Sequence, residues 1–489
     1  MNQRSQPLSP PWLLMGISVI ILFFSSSLRH GLYHSTAWDL GIFDQAIYLI
    51  SQGKPPISSF LETHILGDHS ALIFYPLALF YKIYPSVYWL FFIQAIALTA
   101  GAFFIHQLAL REDLKPAFAK SLSLIYLCYP LIFNVNLFDF HTDVIALAGL
   151  FWAIWSVNTQ RFLSFLGALL LVASCKGVLG LTIAAMGLWL LTLGKKREGG
   201  IALVWGITWF WVASKIIIPY FTQNSQSIDR HLSRFSYLGN SYPEILQNLI
   251  LKPWLILGGL FNGTNFGYLC LLILPLAWGL MPRFLVFSPP KKLGINPNFQ
   301  GSNYLPLIAT LPTLFMNLLA SDPGQKDLLH QYSLPILPFL FVIVIHNLKS
   351  QQTWLSRPRW LILWALVCFV ALAKWEYFPK RYLATWDTWS ATHAAIAEIK
   401  TQGGVLTSAE IAPHVTHRPL VKLAVNGSEN LDLDQFEYVL VNLRHPGWES
   451  SPQFLLNLLQ KLERSTDFQV KFQQDHVILF YKRPNLRLG

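Results

Sequence analysis

The stretch Phe162-LSFLGALLLVASCKGVLGLTIAAMGLWLLT-Leu193 decides the class of fold. It has a single charged residue, Lys176, with a long apolar run on either side. About 20 consecutive apolar residues cross the hydrocarbon core of a bilayer, so runs of this kind indicate membrane helices. The stretch therefore predicts two crossings, near 162–176 and 177–193, joined by a short turn at Lys176.

The same pattern recurs along most of the chain. The sequence is 53% hydrophobic and 12% charged, with a mean hydropathy of +0.42, whereas a soluble domain carries roughly 25% charged residues. We predict an α-helical polytopic membrane protein with about 11 transmembrane helices. The other crossings are centred near 11–28, 86–108, 121–135, 144–158, 200–220, 265–281, 303–320, 332–347 and 360–375. Two apolar stretches, 71–84 and 246–262, are short or interrupted, which favours re-entrant or interfacial segments.

Basic residues determine the predicted orientation, because cytoplasmic loops are enriched in Lys and Arg. Their distribution predicts a multi-pass protein of the cell membrane with a cytoplasmic N-terminus. The loops 29–70, 136–143, 221–250 and 321–331 then face outward, as does the tail from about 376. The net charge of +11 follows from this topology and from contact with anionic membrane lipid. We expect no nucleic-acid partner.

The composition becomes that of a soluble protein near residue 376. We predict a transmembrane domain over 1–376 and a small α/β domain over 377–489, which faces the extracytoplasmic side. In that tail, 405–407, 421–425, 436–441, 468–472 and 477–481 are predicted strands, and 387–400 and 451–464 are predicted helices.

The first outward loop carries two aspartates, Asp39 and Asp44. Its segment 40–51 has apolar residues at helical spacing, which favours a helix lying on the membrane surface. The two carboxylates are five residues apart and do not share a helical face. A carboxylate that points into a cavity can act as a general base. The alternative is that Asp39 caps the helix and Asp44 is solvated.

Acid and imidazole side chains recur together at the outer ends of apolar runs. They form the pairs Asp68-His69 and Asp139-x-His141. Either pair can line a polar cavity or, through oxygen and nitrogen ligands, bind Mg²⁺ or Mn²⁺. The alternative is that these residues only end the helices at the membrane interface.

Cationic and amide side chains lie in the same predicted outward positions. Lys176, Arg230 and Arg234 can contact a phosphate group. The alternatives are that Lys176 is a turn residue at the lipid headgroups and that the two arginines contact those headgroups. Gln331 and Tyr332 open a crossing, where an interfacial anchoring role is the alternative. In the tail, His414 and His417 are three residues apart, a spacing that can ligate a metal. No third ligand is evident nearby in the sequence, and we interpret the segment as a structural turn. Nucleotide-binding and classical hydrolase motifs are absent from the sequence.

The order of these motifs resembles a prokaryotic family of predicted polytopic membrane proteins that is catalogued as a domain of unknown function. The resemblance runs from about residue 30 to 482. It rests on W-D-L-G-I-F-D-Q (38–45), G-D-H (67–69), L-F-D-F-H (137–141), C-K (175–176), K-I-I-I-P (215–219), R-F-S-Y-L-G (234–239), Q-Y-S-L-P-I-L-P (331–338) and A-P-H-V-T-H-R-P (412–419). In the family pattern acidic residues follow Cys-Lys, whereas this chain has Gly177-Val178.

That family is similar in layout to the GT-C glycosyltransferases. The resemblance implies transfer of a sugar from a polyprenyl-phosphate donor to an unknown acceptor outside the cytoplasmic membrane. Asp44 is then our first choice for the general base and Asp39 our second. Lys176, Arg230 and Arg234 would contact the phosphate, and Asp68, His69, Asp139, His141, Gln331 and Tyr332 would shape the sugar pocket or hold a divalent ion. A transporter or flippase for a lipid-linked or polar solute is the main alternative, and a non-catalytic envelope scaffold is the third.

Overall fold

Apolar runs form helices along most of the computed structural model, which describes residues 11–222, 232–282 and 301–483. The helices include Trp12–Gly31, Ile42–Ser51, Ile65–His69, Phe74–Ile83, Tyr88–Arg111, Pro116–Leu127, Pro130–Asn136, Thr142–Asn158, Phe162–Cys175, Leu179–Thr192, Lys196–Val212, Ile218–Phe221, Tyr242–Leu251, Pro253–Leu260, Gly263–Ile273, Ala277–Leu280, Leu307–Leu319, Leu337–Lys349, Pro358–Leu372, Trp389–Ala397 and Pro452–Arg464. The chain is therefore mainly helical, as predicted.

Each predicted crossing coincides with an apolar helical segment. In the described residues six segments are long and apolar enough to cross a membrane: Trp12–Gly31, Tyr88–Arg111, Lys196–Phe221, Gly263–Leu280, Pro323–Lys349 and Pro358–Tyr377. The pair Pro116–Leu127 and Pro130–Asn136, bent by 41°, makes a seventh if it is one span. Thr142–Asn158, Phe162–Cys175, Leu179–Thr192 and Leu307–Leu319 are apolar but shorter. The polytopic helical architecture is confirmed, and the number of 11 crossings stays a prediction.

Glycines bring two consecutive helices, Leu179–Thr192 and Lys196–Val212, into close contact. A Cβ atom added at Gly206 would lie 2.4 Å from the Ala184 backbone nitrogen and 2.4 Å from the Gly180 carbonyl oxygen. Membrane helices gain little from hydrophobic burial against lipid, so small residues that let backbones approach stabilise their packing. This helical hairpin therefore depends on glycine at its contact.

The chain folds into two compact units that are discontinuous in sequence. The first contains Met1–Phe24, Leu66–Ile73 and Phe92–Lys374, and the second contains Ser25–Ile65, Phe74–Phe91 and Trp375–Gly489. Much of the first loop therefore belongs to the same unit as the tail. The division into domains over 1–376 and 377–489 stays a prediction.

The second unit contains the sheets of the described residues. Strands β1 (Ile57–Ser58) and β2 (Thr63–His64) form a short antiparallel hairpin within the first loop. The tail forms a five-stranded sheet from β3 (Val405–Thr407), β4 (Val421–Leu423), β5 (Tyr438–Asn442), β6 (Phe468–Gln474) and β7 (Val477–Lys482). Its order is β4-β3-β5-β7-β6, with β3 parallel to β4 and β5 and the other pairs antiparallel. The predicted small α/β fold is confirmed.

Hydrophobic cores cover both faces of the sheet at β5. Alternate residues of a strand point to opposite faces, and β5 accordingly sends Tyr438 and Leu440 to one core and Val439 and Val441 to the other. The first core contains alanines of Trp389–Ala397 together with Ala37, Trp38 and Phe60 of the first loop. The second core contains the apolar face of Pro452–Arg464. The first loop is thus part of the hydrophobic core of the tail.

The first-loop helix Ile42–Ser51 is buried on nearly all sides within the second unit. Its buried residues include polar Asp44 and Gln45 as well as the apolar positions. A helix on the membrane surface would keep a solvated polar face. The prediction of a surface helix is therefore wrong, because packing inside the unit covers the face that the sequence pattern leaves polar.

Candidate functional site

Asp44 lies at the start of the buried first-loop helix. It occupies the first turn of Ile42–Ser51, and its side chain is 1% exposed. The N-terminal end of a helix carries a partial positive charge, which favours an ionised carboxylate. The helix Phe74–Ile83 packs beside it through Phe43 and Phe74, whose ring centroids are 5.3 Å apart. These contacts place Asp44 in the interior of the second unit.

Three side chains bind the Asp44 carboxylate. The Tyr81 hydroxyl donates to Oδ1 at 2.5 Å, and the Thr416 hydroxyl donates to Oδ2. The His417 Nε2 atom lies 3.2 Å from Oδ2 and 3.4 Å from Oδ1. Thr416 and His417 belong to the tail segment 412–419, which the sequence analysis interprets as a structural turn. The structure instead gives this segment two of the three contacts to the aspartate.

Asp44 and His417 shift each other's pKa in opposite directions. Burial raises the pKa of Asp44, but the charge of His417 and hydrogen bonds from the three neighbours outweigh it and hold the pKa below the ordinary 3.8. Burial lowers the pKa of His417, and the Asp44 carboxylate raises it by more, so that it lies above 6.5. Burial and the same carboxylate raise the pKa of Tyr81, whose hydroxyl keeps its proton.

The two members of the ion pair differ in access. The His417 side chain is 32% exposed, against 1% for Asp44. Tyr48 stacks on the imidazole, with centroids 4.6 Å apart and planes 7° apart, and Tyr81 contacts it edge-on at 5.9 Å. These rings fix the orientation of the imidazole while leaving part of it accessible.

Hydrogen bonds join the first-loop helix to the tail sheet beside this pair. Gln45 donates to the Ser59 hydroxyl at 2.8 Å and to the Arg418 carbonyl at 3.1 Å. The Ser59 hydroxyl in turn donates to the Val421 carbonyl at 2.8 Å and accepts from the Val421 amide at 3.0 Å. Because all four residues lie in one unit, these bonds hold the segment around His417 against the helix that carries Asp44.

Asp39, our second choice for the base, lies in a π-helical turn, Ala37–Gly41. Thr36 occupies the position before this turn, so the predicted N-cap role of Asp39 is wrong. A π turn is wider than an α turn, and such turns recur at functional sites. Asp39 is partly buried, and Asp44 follows in the next helix.

The other tail histidine, His414, differs from His417 in its surroundings. It stacks on His30, with ring centroids 3.9 Å apart and planes 15° apart, and lies 4.6 Å from the Tyr33 ring. Burial lowers the pKa of His414 to about 4 despite a hydrogen bond to the His30 backbone. His414 is therefore neutral at pH 7.

In the first unit, Lys176 forms a buried ion pair. Its Nζ atom donates to Asp143 Oδ2 at 3.1 Å, and the two side chains are 11% and 7% exposed. Asp143 lies in the first turn of Thr142–Asn158. The predicted phosphate-binding cation therefore already has a carboxylate partner from the L-F-D-F-H-T-D segment.

The turn after Lys176 packs against the segment that carries Asp68 and His69. The Gly177 amide donates to the His69 carbonyl at 2.9 Å, and His69 Nε2 lies 3.4 Å from Asp68 Oδ2. A Cβ atom at Gly177 would lie 2.6 Å from the Ala213 Cβ atom. A side chain at this position, including the acidic one of the family pattern, would require the neighbouring segment to move.

Aromatic stacking joins two further predicted segments of the first unit. Phe138 stacks on His141 at 5.4 Å and contacts His330 edge-on at 4.1 Å. His330 Nδ1 lies 2.7 Å from Asp327 Oδ2. The buried Asp139 has a φ of 99°, in the left-handed region that non-glycine residues rarely adopt. Such strained positions cluster at functional sites.

Arg234 lies near Asp322 and Tyr332 of the first unit. Its Nε atom is 3.6 Å from Asp322 Oδ2, and its guanidinium lies over the Tyr332 ring at 5.2 Å. Gln331 is buried, and its Oε1 atom has no hydrogen-bond partner among the described residues. Arg230 lies outside the described residues. Arg234 is therefore more exposed than Lys176, which is buried.

The acidic and imidazole residues do not assemble into a metal site. Over residues 11–222, 232–282 and 301–483, no three His, Cys, Asp or Glu side chains are grouped so as to hold a metal ion. The predicted Mg²⁺ or Mn²⁺ ligands Asp68, His69, Asp139 and His141 do not fit a preassembled centre. We therefore assign no metal-dependent step to them.

The predicted residues thus fall into two groups. Asp39 and Asp44 lie in the second unit, and the other described candidates lie in the first. The partners of Asp44, which are Tyr81, Thr416 and His417, were not predicted from the sequence. The signal for Thr416 and His417 was the A-P-H-V-T-H-R-P segment, which we interpreted as a structural turn.

Solved structures show the same fold over nearly the full chain. Crystal structures of ArnT from Cupriavidus metallidurans match it with a TM-score of 0.53 when bound to undecaprenyl phosphate and 0.55 in the apo state. The match to the first structure covers 98% of this chain and 99% of the ArnT chain, at 12% sequence identity. The match to the second structure covers 96% of this chain and 97% of the ArnT chain, at 13% sequence identity. Comparison with curated proteins finds no match. The likeness shows that this chain shares the fold of ArnT.

A family model matches residues 29–291 and 299–479. This range includes nearly all of the segment over which the sequence motifs resemble a known family, and it includes every predicted site residue. The family is described as a predicted membrane protein, in agreement with the apolar helices found here. The chain belongs to the family of membrane proteins described as "Predicted membrane protein (DUF2079)".

Proposed function

We propose that this protein is a GT-C-type glycosyltransferase that moves a sugar from a polyprenyl-phosphate donor to an acceptor on the extracytoplasmic side of the membrane. The observation that supports this most is the buried carboxylate of Asp44, held by Tyr81, Thr416 and His417. The GT-C-like fold supports the class of reaction, and one of the matching ArnT structures has undecaprenyl phosphate bound.

Glycosyl transfer to a hydroxyl group needs a proton acceptor near the nucleophile. Asp44 is the centre of that function in our proposal. It lies in the long first loop, it is ionised, and its three partners hold it in one orientation. Asp39 is the second choice, since it lies in the π turn that precedes the same helix.

The leaving group of the proposed reaction is a phosphate, whose negative charge must be stabilised. Arg234 suits this role because a guanidinium binds phosphate through several donors at once. Only its Nε atom lies near Asp322, at 3.6 Å. Lys176 is a second candidate, although Asp143 balances its charge. Arg230 remains a candidate from sequence.

The sugar itself needs donors and acceptors for its hydroxyl groups. We assign these roles to Asp68, His69, Asp139, His141, Gln331 and Tyr332. Gln331 is a particular candidate, since its buried Oε1 atom has no partner in the part of the chain that the structure describes, and buried polar atoms in proteins rarely lack one. The topology that we propose has 11 crossings, a cytoplasmic N-terminus and a tail on the extracytoplasmic side, where the acceptor would bind.

The test is turnover by the full-length protein in liposomes with labelled polyprenyl-phosphate sugars and an acceptor extract. We expect sugar transfer that Asp44→Asn reduces by at least about 100-fold, the usual scale of general acid–base catalysis. Asp387→Asn is the control, because Asp387 also pairs with a histidine, His445, at 2.8 Å. Label that crosses the bilayer without transfer would instead indicate the transporter or flippase. If the label is neither transferred nor moved across the bilayer, the result would indicate the scaffold.

A further inference from the structure

We propose that His417, rather than Asp44, is the group that accepts the proton of the acceptor hydroxyl, and that Asp44 is a positioning residue acting through it. This inference rests on the proposed function and names a further catalytic residue for it. It assigns a role in catalysis to the tail segment 412–419, which otherwise would serve only to bind or orient the acceptor.

The first argument is that the Asp44 carboxylate is closed to substrate. Its side chain is 1% exposed, Oδ1 accepts from Tyr81, and Oδ2 accepts from Thr416 and lies 3.2 Å from His417 Nε2. A general base must come within about 3 Å of the proton that it removes. An incoming hydroxyl would have to displace one of these partners in order to reach Asp44.

The second argument is that His417 is reachable and correctly oriented. Its side chain is 32% exposed, and Tyr48 stacks flat on the ring at 4.6 Å. Nε2 faces Asp44, and in the neutral ring it carries the proton and donates a hydrogen bond to the Asp44 carboxylate. The remaining nitrogen, Nδ1, is then the one with a free lone pair. A carboxylate that fixes the tautomer and orientation of an imidazole base is an arrangement known from hydrolases.

The proposed step balances as follows. The acceptor oxygen forms a bond to the anomeric carbon, and the bond from that carbon to the phosphate oxygen breaks. The electron pair of the broken bond leaves with the polyprenyl phosphate. The acceptor proton moves to Nδ1 of His417, and Asp44 stabilises the resulting imidazolium. The imidazolium later releases this proton to water.

The groups that face His417 determine how its ionisation responds to pH. Asp44 and Tyr48 come from Ile42–Ser51, and Tyr81 comes from Phe74–Ile83. The next residue in the chain, Arg418, opposes protonation of the ring. Among these groups Asp44 carries the only negative charge at pH 7. Its removal should therefore shift any activity profile that depends on His417 toward lower pH.

The experiment measures sugar transfer by the full-length protein in liposomes as a function of pH. The variants are His417→Gln, His417→Ala with added imidazole, and Asp44→Asn. His393→Gln is the control, since His393 also stacks on an aromatic ring, Trp389, at 5.6 Å. We expect His417→Gln to lose at least about 100-fold in kcat with little change in KM for the donor. Imidazole should restore part of the activity of His417→Ala, and Asp44→Asn should move the ionisation in the rate profile to lower pH.

Two failures can be distinguished. If the wild type is active and His417→Gln stays within about threefold of it, the assignment of His417 is refuted and the proposed function stands. Loss of activity in His417→Gln without imidazole rescue, and with the same pH profile in Asp44→Asn, also refutes it, because Asp44 or another group is then the base. If the wild type transfers no sugar from any donor, the proposed function is refuted and the assignment fails with it.

Discussion

The Asp44–His417 ion pair should make the stability of the second unit depend on pH, and Asp44→Asn tests this. The two charged atoms are 3.2 Å apart. At an effective dielectric constant of roughly 20, unit charges at that distance attract by about 5 kcal/mol. One partner is one-third exposed, so solvent screening reduces the net contribution to about 2 kcal/mol. Replacing the carboxylate by an amide removes this charge contribution and weakens the hydrogen bonds by about 1 kcal/mol.

The sign of the effect follows from the two pKa shifts. The folded pKa of His417 is raised, so its contribution is fully present below the unfolded value of 6.5 and is lost as pH rises through the folded pKa. The folded pKa of Asp44 is lowered, so its contribution is present above 3.8 and is lost as pH falls through the folded pKa. The pair therefore stabilises the fold most between pH 3.8 and pH 6.5, the unfolded pKa values of the two groups. Asp44→Asn should cost about 3 kcal/mol near pH 6 and about 1 kcal/mol near pH 9.

Thermal unfolding of the purified protein at the two pH values measures this difference. A free energy of 1 kcal/mol moves the midpoint by roughly 2–4 °C for a unit of 150–250 residues. Asp387→Asn is the matched control, because Asp387 also lies 2.8 Å from a histidine, His445, but both side chains are about one-third exposed. It should cost less than about 1 kcal/mol at either pH. An equal loss of stability in Asp44→Asn at pH 6 and pH 9 would refute the ion pair.

Three further predictions concern stability. Gly206→Ala should lower the melting temperature, at a cost of about 1–3 kcal/mol, because the added Cβ atom would lie 2.4 Å from backbone atoms. In the same assay Gly200→Ala should be neutral or stabilising, because a Cβ atom added there would lie more than 4 Å from the described atoms outside its own stretch of helix. Asp143→Asn should cost about 3 kcal/mol, since it leaves the buried Lys176 unpaired, and a double-mutant cycle with Lys176→Gln should show strong coupling. Ser59→Ala should increase hydrogen exchange in β4 and cost about 1–3 kcal/mol, because it removes two hydrogen bonds to that strand; unchanged exchange there would contradict this.

The local features of this protein could be predicted from its sequence. Long apolar runs predict helices because a bilayer leaves backbone groups no partner except those within the helix. The alternation of apolar residues in the tail likewise predicts β5 and β7 within one or two residues. Asp44 was identified as a candidate base from its place in the first loop and from the resemblance of the surrounding motif to a known family.

The partners of that aspartate could not be predicted in the same way. Tyr81 is 37 residues from Asp44, and Thr416 and His417 are 372 and 373 residues away. Contacts at such separations leave no periodic trace in a single sequence. The same limit explains the error about Ile42–Ser51, whose pattern fits a membrane surface as well as a protein interior.

The sequence by itself determined the class of this protein: a polytopic membrane protein of the DUF2079 family, with a small α/β tail and acidic and imidazole residues in its loops. Hydrophobicity and local spacing carry that information, because burial in lipid and in strands depends on each residue and its near neighbours. Only the tertiary structure decided that the first loop and the tail share one core, that Lys176 is paired with Asp143, and that His417 contacts Asp44. Those pairings depend on how distant segments pack, and packing determines which charges are buried together and how they ionise.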